Sequence, residues 1–317
     1  MKIVILDGHT VNPDDLSWEP FEAMGNVEVY ARTPMGQVAE RAKDAHAVLI
    51  NKIKLGREEM DQLPNLKYIG LCATGFDNVD LQAAHEKGIV VTNIPSYGTP
   101  SVAQHAIALL LELSNRVGLH NKSVHESEWV RSADFSYFKA PIIELQDKKI
   151  GVLGYGAIGK QVAKIAGALG MHVLIHSAYA SHMENGRLVT LEELFRQSDF
   201  LSIHAALNER TLGLVNHAML SLMKPTAFVI NTSRGAIINE QDLADHLNTG
   251  KIAGAALDVL SKEPPTADNP LLSAKNCIIT PHCAWISHEA RQRLLDIAVD
   301  NLKGFLEGDP RNVVKGD

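Results

Sequence analysis

GVLGYGAIGKQVAKIAGALGMHVLIHSAY, residues 151–179, joins an apolar run, a glycine-rich turn, a helical pattern and a second apolar run. Gly154, Gly156 and Gly159 stand at the spacing of a loop that wraps a pyrophosphate. The first glycine makes the tight turn and the second lets backbone amides approach phosphate. The third brings the helix close to the strand, with its N-terminal dipole aimed at the anion. The triplet alone also fits an ordinary tight turn, but the strand–loop–helix–strand setting predicts dinucleotide binding. An Asp or Glu about 20 residues further on would take the ribose hydroxyls of NAD. Ser177 stands there instead, beside His176. A serine does not repel the extra phosphate of NADP, so the cofactor is expected to be NADP or NAD, with NADP slightly favoured. Cationic help is sparse: between His172 and Asn185 only histidines such as His176 and His182 appear, and Arg187 would have to fold back.

Outward from this loop the same alternation continues. KKIGVLG, HVLIH, DFLSIH, TAFVIN, IAGAALD and NCIIT read as strands separated by helical stretches or turns. Upstream, KIVIL, VEVY, AVLI, KYIGL and GIVVT form an earlier series. These runs are too apolar to leave one face in water, which predicts parallel sheets covered on both sides. Two runs of β and α in a chain of 317 residues predict two doubly wound α/β domains. Thr33 with Pro34, and Thr99 with Pro100, read as helix starts. The helix expected over 101–117 is apolar on most of its circumference and should be buried. Residues 118–146 lack a period and read as a wrapping loop, and 287–308 form a closing amphipathic helix.

Composition narrows the function. A net charge of −7 argues against broad nucleic-acid binding. Cys72, Cys277 and Cys283 show no CxxC spacing, so neither a structural zinc nor a disulfide framework is expected, and a reducing, cytoplasmic setting fits. MKIVILDG holds too short an apolar run for a signal peptide, and AIALLLELS is broken by Glu112, so no membrane segment is expected. The histidine spacings form no metal-ligand set.

Three further motifs follow strand patterns: NTSRGAIIN, LDVLSKEPP and ITPHCAW. Each therefore falls at the carboxyl edge of a parallel sheet, where α/β proteins bind ligands. Arg234, Glu263 and His282 could converge there. Singly, each has a bland reading: a surface Arg, a solvated Glu before a turn, a core His. Asp258 reads equally as a helix cap or a cofactor contact, and Cys283 as a small apolar residue.

The order GxGxxG, NTSRG, LDV with KEPP, then TPH resembles the D-isomer-specific 2-hydroxyacid dehydrogenases, and ATGFDNVD and SVAQHA extend the likeness into the first half. NKIKL, SVHESEW and PHCAW are most similar to the glycerate dehydrogenase, or hydroxypyruvate reductase, branch. The resemblance implies a Rossmann-type cofactor domain (100–286) inserted into a flavodoxin-like substrate domain (1–99 and 287–317). It implies NAD(P)H-dependent reduction of a small 2-keto acid, hydroxypyruvate or glyoxylate, to the D-2-hydroxy acid, by a homodimer. Arg234 would hold the substrate carboxylate, His282 would supply the proton and Glu263 would partner His282. Ala73, Thr74 and Gly75 would bind the carboxylate through backbone amides, with Thr74 and Arg234 also near the cofactor. Ala157 and Ile158 would touch the pyrophosphate, and Thr232, Asp258 and the run from His282 to Trp285 the nicotinamide and its ribose. Ala206 replaces the family's usual proline in HAAL, which weakens Ala205 as a cofactor contact. A rival reading is a non-catalytic NAD(H)-sensing binding protein of the same fold.

Overall fold

The computed structural model describes residues 1–178 and 184–315. The chain divides into two compact units, Met1–Gly98 with Ile286–Asp317, and Thr99–Trp285. The sequence expectation set these boundaries one residue later.

In the first unit, β1 (Lys2–Ile5), β2 (Asn26–Val29), β3 (Ala47–Ile50), β4 (Tyr68–Leu71) and β5 (Val90–Thr92) make one parallel sheet in the order β2-β1-β3-β4-β5. That order is the flavodoxin-like arrangement. Short helices α1 (Glu19–Glu22), α2 (Val38–Ala42), α3 (Arg57–Asp61) and α4 (Leu81–Glu86) connect the strands. Val4, Val48, Ile50, Ile69 and Leu71 fill a core with Ala83 and Ala84 of α4, so β3 and β4 have both faces buried, as their continuous apolar runs require. Thr33 caps no helix. Its hydroxyl donates to the Leu6 carbonyl at 2.6 Å, Pro34 stays extended at ψ 144°, and α2 begins only at Val38.

The second unit opens with α5 (Thr99–Asn115), which buries Ala103, Ala106, Leu110 and Leu113. Arg116 takes the left-handed conformation (φ 53°) and ends that helix. The wrapping loop expected from residue 118 is in part a second helix, α6 (Val117–His125). Its period was hidden because the exposed apolar Val117, Leu119 and Val124 are spread among polar residues. The segment after it is tied by Trp129 donating to the Phe135 carbonyl (3.0 Å) and by Ser123 with Tyr137 (2.7 Å).

The remaining elements are β6 (Lys149–Leu153), α7 (Ala157–Ala168), β7 (His172–His176), β8 (Arg187–Leu188), α8 (Leu191–Gln197), β9 (Phe200–Ile203), α9 (His217–Leu220), β10 (Phe228–Asn231), α10 (Glu240–Asn248), β11 (Gly254–Leu257) and β12 (Cys277–Ile279). Their sheet is parallel throughout, in the order β12-β11-β10-β9-β6-β7-β8, with apolar clusters on its two faces. The two-residue β8 was not foreseen; it is too short to show a period. The strand order reverses at β6 and β9, the switch point where doubly wound sheets bind dinucleotides. In the first unit, α11 (His288–Leu306) starts at Ser287, whose hydroxyl accepts from the Ala290 amide. Among the described residues, no helix is long and apolar enough to cross a membrane.

Candidate active site

The glycine loop lies at the switch point, between β6 and α7. Gly154 has φ +94°, and a Cβ there would meet the Ala205 nitrogen at 2.6 Å. That contact sets the backbone of Ala205 against the loop. A Cβ on Gly159 would lie 2.1 Å from the Gly154 carbonyl oxygen, so only glycine lets α7 approach so closely. Around Gly156 a Cβ would meet nothing within 4 Å, which leaves an open side. Gly156 caps α7 without a side chain, so the amides of the first turn, with Ala157 and Ile158, are free for an anion. Thr232 is buried after β10 with its hydroxyl lacking a partner among the described residues. An open glycine cradle and an orphaned buried hydroxyl along one sheet edge suit a dinucleotide.

At the far end of β7, the His176 Nδ1 donates to the Val189 carbonyl (3.0 Å). Ser177 follows directly, and His182 lies outside the described residues. Arg187 does not fold back: it pairs with Glu193 at 2.7 Å on β8 and α8. A hollow lined by Lys149, His172 and Arg187 lies at the amino ends of β6 and β7, away from the loop edge.

Arg234, Asp258 and His282 follow the neighbouring strands β10, β11 and β12, and so stand at one sheet edge. Gly235 lets the first two loops touch, since a Cβ there would sit 1.9 Å from the Leu260 carbonyl carbon. The Arg234 loop is braced by buried Asn231, whose amide donates to the Arg234 carbonyl (2.9 Å) and whose oxygen takes the Ser233 amide (3.0 Å). The Arg234 side chain is exposed, and no carboxylate among the described residues pairs with it. One arm of its planar fork, Nη1, donates to the Ser233 carbonyl at 2.9 Å, and the others can reach a ligand carboxylate.

His282 Nδ1 lies 2.5 Å from Glu263 Oε2, while Oε1 of the same carboxylate accepts the Leu260 amide at 2.9 Å. A carboxylate only accepts, so Nδ1 carries the proton and Nε2 is left to exchange one with a ligand. Both side chains are about one-third exposed, at 29% and 35%. His282 holds φ +53°, a left-handed conformation that costs a non-glycine residue about 1–2 kcal/mol. The surrounding bonds hold it there. Its amide donates to the Asp258 carbonyl (2.8 Å), and the Asp258 carboxylate takes the Thr280 hydroxyl (2.5 Å) and the amides of Cys283 and Ala284 (2.9 Å each). Asp258 therefore caps no helix: it organises the turn that presents His282. Trp285 ends that turn, half-buried.

In the first unit, the turn after β4 has its carbonyls engaged and its amides open. Ala73 O accepts from Ile94, and Thr74 O from Asn93. The amides of Ala73, Thr74 and Gly75 meet no acceptor among the described residues. Successive free amides of this kind form an anion nest.

Residues 107–284 match the model of the D-isomer specific 2-hydroxyacid dehydrogenase NAD-binding domain. A hydroxypyruvate reductase of Blautia hydrogenotrophica is 51% identical over 320 residues, covering 99% of both chains. The chain belongs to the D-isomer specific 2-hydroxyacid dehydrogenases. A glycerate dehydrogenase of Methylorubrum extorquens is 38% identical over 99% of each chain. An acyclic imino acid reductase solved with NADPH and D-Arg superposes with a TM-score of 0.85 at 30% identity, over 99% of this chain and 100% of that one. This dehydrogenase is thus an enzyme of the glycerate dehydrogenase and hydroxypyruvate reductase branch, a nicotinamide-dependent oxidoreductase of 2-keto and 2-hydroxy acids.

Sequence reasoning passed over His204, which follows β9. Its Nε2 contacts Ser202 Oγ (2.8 Å), its Nδ1 is buried without a partner among the described residues, and burial pushes its pKa down to about 4. It also passed over His105 and Thr280, although both stand in quoted motifs. With Asp258 and Cys283, His105 forms a group whose possible ligating atoms lie within 4.8 Å of one another, a grouping that no sequence spacing shows. The Cys283 thiol is held protonated, first by burial and then by the neighbouring Asp258 carboxylate.

Proposed function

We propose that this dehydrogenase reduces hydroxypyruvate or glyoxylate to the D-2-hydroxy acid, with His282 as the proton donor. The observation that carries this reading is the His282–Glu263 pair at 2.5 Å, at the same sheet edge as the glycine cradle and as an Arg234 that pairs with no carboxylate among the described residues. The nicotinamide cofactor supplies the hydride when bound. As the keto carbon accepts that hydride, negative charge builds on its oxygen, and His282 Nε2 delivers a proton there. Glu263 accepts from Nδ1 and so orients the ring. Arg234 takes the substrate carboxylate through two parallel hydrogen bonds, and a carboxylate is also the kind of ligand that the amides of Ala73, Thr74 and Gly75 suit. Gly154, Gly156, Ala157, Ile158 and Gly159 hold the pyrophosphate, and Ser177 the adenosine ribose. Thr74, Ala205, Thr232, Arg234, Asp258, His282 and Trp285 line the nicotinamide end.

Both cofactors are accepted in this reading, with NADP favoured because Ser177 carries no charge to repel its phosphate. The Arg187–Glu193 pair keeps that preference small, since Arg187 is already engaged. The enzyme works as a homodimer in a reducing cytoplasm; its three free cysteines suit that setting. The test is direct: NADPH or NADH absorbance is followed as hydroxypyruvate, glyoxylate or pyruvate is added to purified protein. Rapid oxidation with the first two is expected, and no turnover with any 2-keto acid would overturn the proposal.

A further inference from the structure

Helix α5 supplies the turn of His282 with two side chains from one face, four residues apart. Ser101 Oγ donates to the Ala284 carbonyl at 2.7 Å, bracing the end of the turn. His105 Nε2 stands 3.1 Å from Thr280 Oγ1 and 3.5 Å from Asp258 Oδ1, at its start. The proton positions follow from the acceptors. The Thr280 hydroxyl must give its hydrogen to the Asp258 carboxylate, which can only accept. Thr280 Oγ1 is then an acceptor towards His105, so Nε2 bears a hydrogen. A line of donors runs from His105 through Thr280 to Asp258, and Asp258 fastens the amides of His282 and of the two residues after it.

The geometry points to His105 as a positioning residue of the reduction, one whose Nε2–H fixes Thr280 and Asp258 and thereby the aim of His282. It touches none of the reacting atoms. A hydrogen bond from a ring on a long helix ties the turn to a second element, whereas Thr280 alone belongs to the turn's own chain. Without the His105 hydrogen, Thr280 Oγ1 keeps its bond to Asp258 but loses the donor that sets its rotamer. The left-handed His282 then has a looser frame. Asp258 itself is a poorer probe, because its loss would remove four bonds at once.

This inference rests on His282 being the proton donor. The test compares His105→Leu, which fills the space without a donor, with His105→Gln, whose amide nitrogen can replace Nε2. For His105→Leu, kcat should fall roughly 10-fold, within the ~100-fold that a 1 Å misplacement can cost. The cofactor Kd and the melting temperature should stay at the parent values, and His105→Gln should recover most of the kcat. A parental kcat in His105→Leu would overturn the inference. So would a kcat loss that His105→Gln fails to rescue, or one that is accompanied by equal losses in cofactor affinity and melting temperature. His282→Ala is measured alongside. If that variant turns over normally, the reading of His282 has failed; if it is inactive while His105→Leu is normal, only the positioning role has.

Discussion

At the scale of single residues, two histidines behave in opposite ways because their partners differ. His282 faces a carboxylate held in place from its other oxygen, a bond that takes Nδ1 and leaves Nε2 outside it. Replacing His282 with Ala should lower turnover by roughly 10²–10⁴, the range for losing a general acid, with cofactor affinity kept. Parental turnover in steady-state assays would remove His282 from the mechanism. His204 meets a hydroxyl on one nitrogen and nothing on the other, and burial holds its pKa near 4 against an ordinary value of 6.5. The unfolded chain therefore binds a proton between those values that the folded chain refuses. Stability from this residue is intact above about 6.5 and is lost as the pH falls towards about 4. His204 is partly exposed overall, so the loss is of the order of 1–3 kcal/mol. Denaturant melts of a His204→Gln variant should show a shallower decline than the parent over that window; parallel curves would sink the idea.

At the scale of elements, the cofactor preference proposed above would be set at the sheet edge beyond β7. The helix α8 contributes Glu193, which holds Arg187 on β8 and removes the nearest cation on that strand from the ribose end. In the proposed reading the discriminating position is 177, where the loop leaves β7. A Ser177→Asp variant should move preference towards NADH by about 1–3 kcal/mol, the scale of one charge-assisted hydrogen bond. Matched kcat/KM values for NADH and NADPH measure this. An unchanged ratio, or a parent that strongly prefers NADH, would contradict the role given to Ser177.

At the scale of the whole molecule, residues 117–142 expose more apolar surface than a lone chain would be expected to keep in water. Val130 is 86% exposed and Phe135 91%, with Val117, Trp129, Phe138 and Ile142 also open. Internal bonds from Trp129 and Tyr137 hold this segment in one shape, so it is presented rather than loose. Exposed apolar side chains concentrated in one segment mark a protein contact, and a second copy of the chain is the occupant we expect. Sedimentation at micromolar concentration should give a dimer, and a Phe135→Glu variant should dissociate it. A monomeric parent would refute this assembly.

What the sequence by itself determined were the features written in short periods. Continuous apolar runs announced two parallel sheets, and the glycine spacing announced the cofactor loop. The motif order put Arg234, Glu263 and His282 after three successive strands, and they follow β10, β11 and β12. Each of these depends on neighbours within one strand–loop–helix unit. Tertiary structure decided the rest, because the deciding partner is remote in the chain. Thr33 looked like a cap until the fold offered it the Leu6 carbonyl. Arg187 looked free until α8 brought Glu193. Asp258 looked like a possible helix cap, yet its carboxylate is filled by Thr280, Cys283 and Ala284 of the β12 turn. His105 lies 175 residues from Thr280, and only the packing of α5 in the second unit joins them. A hydrogen bond pairs whichever groups the backbone brings within reach, and sheet order, not local sequence, sets which groups those are.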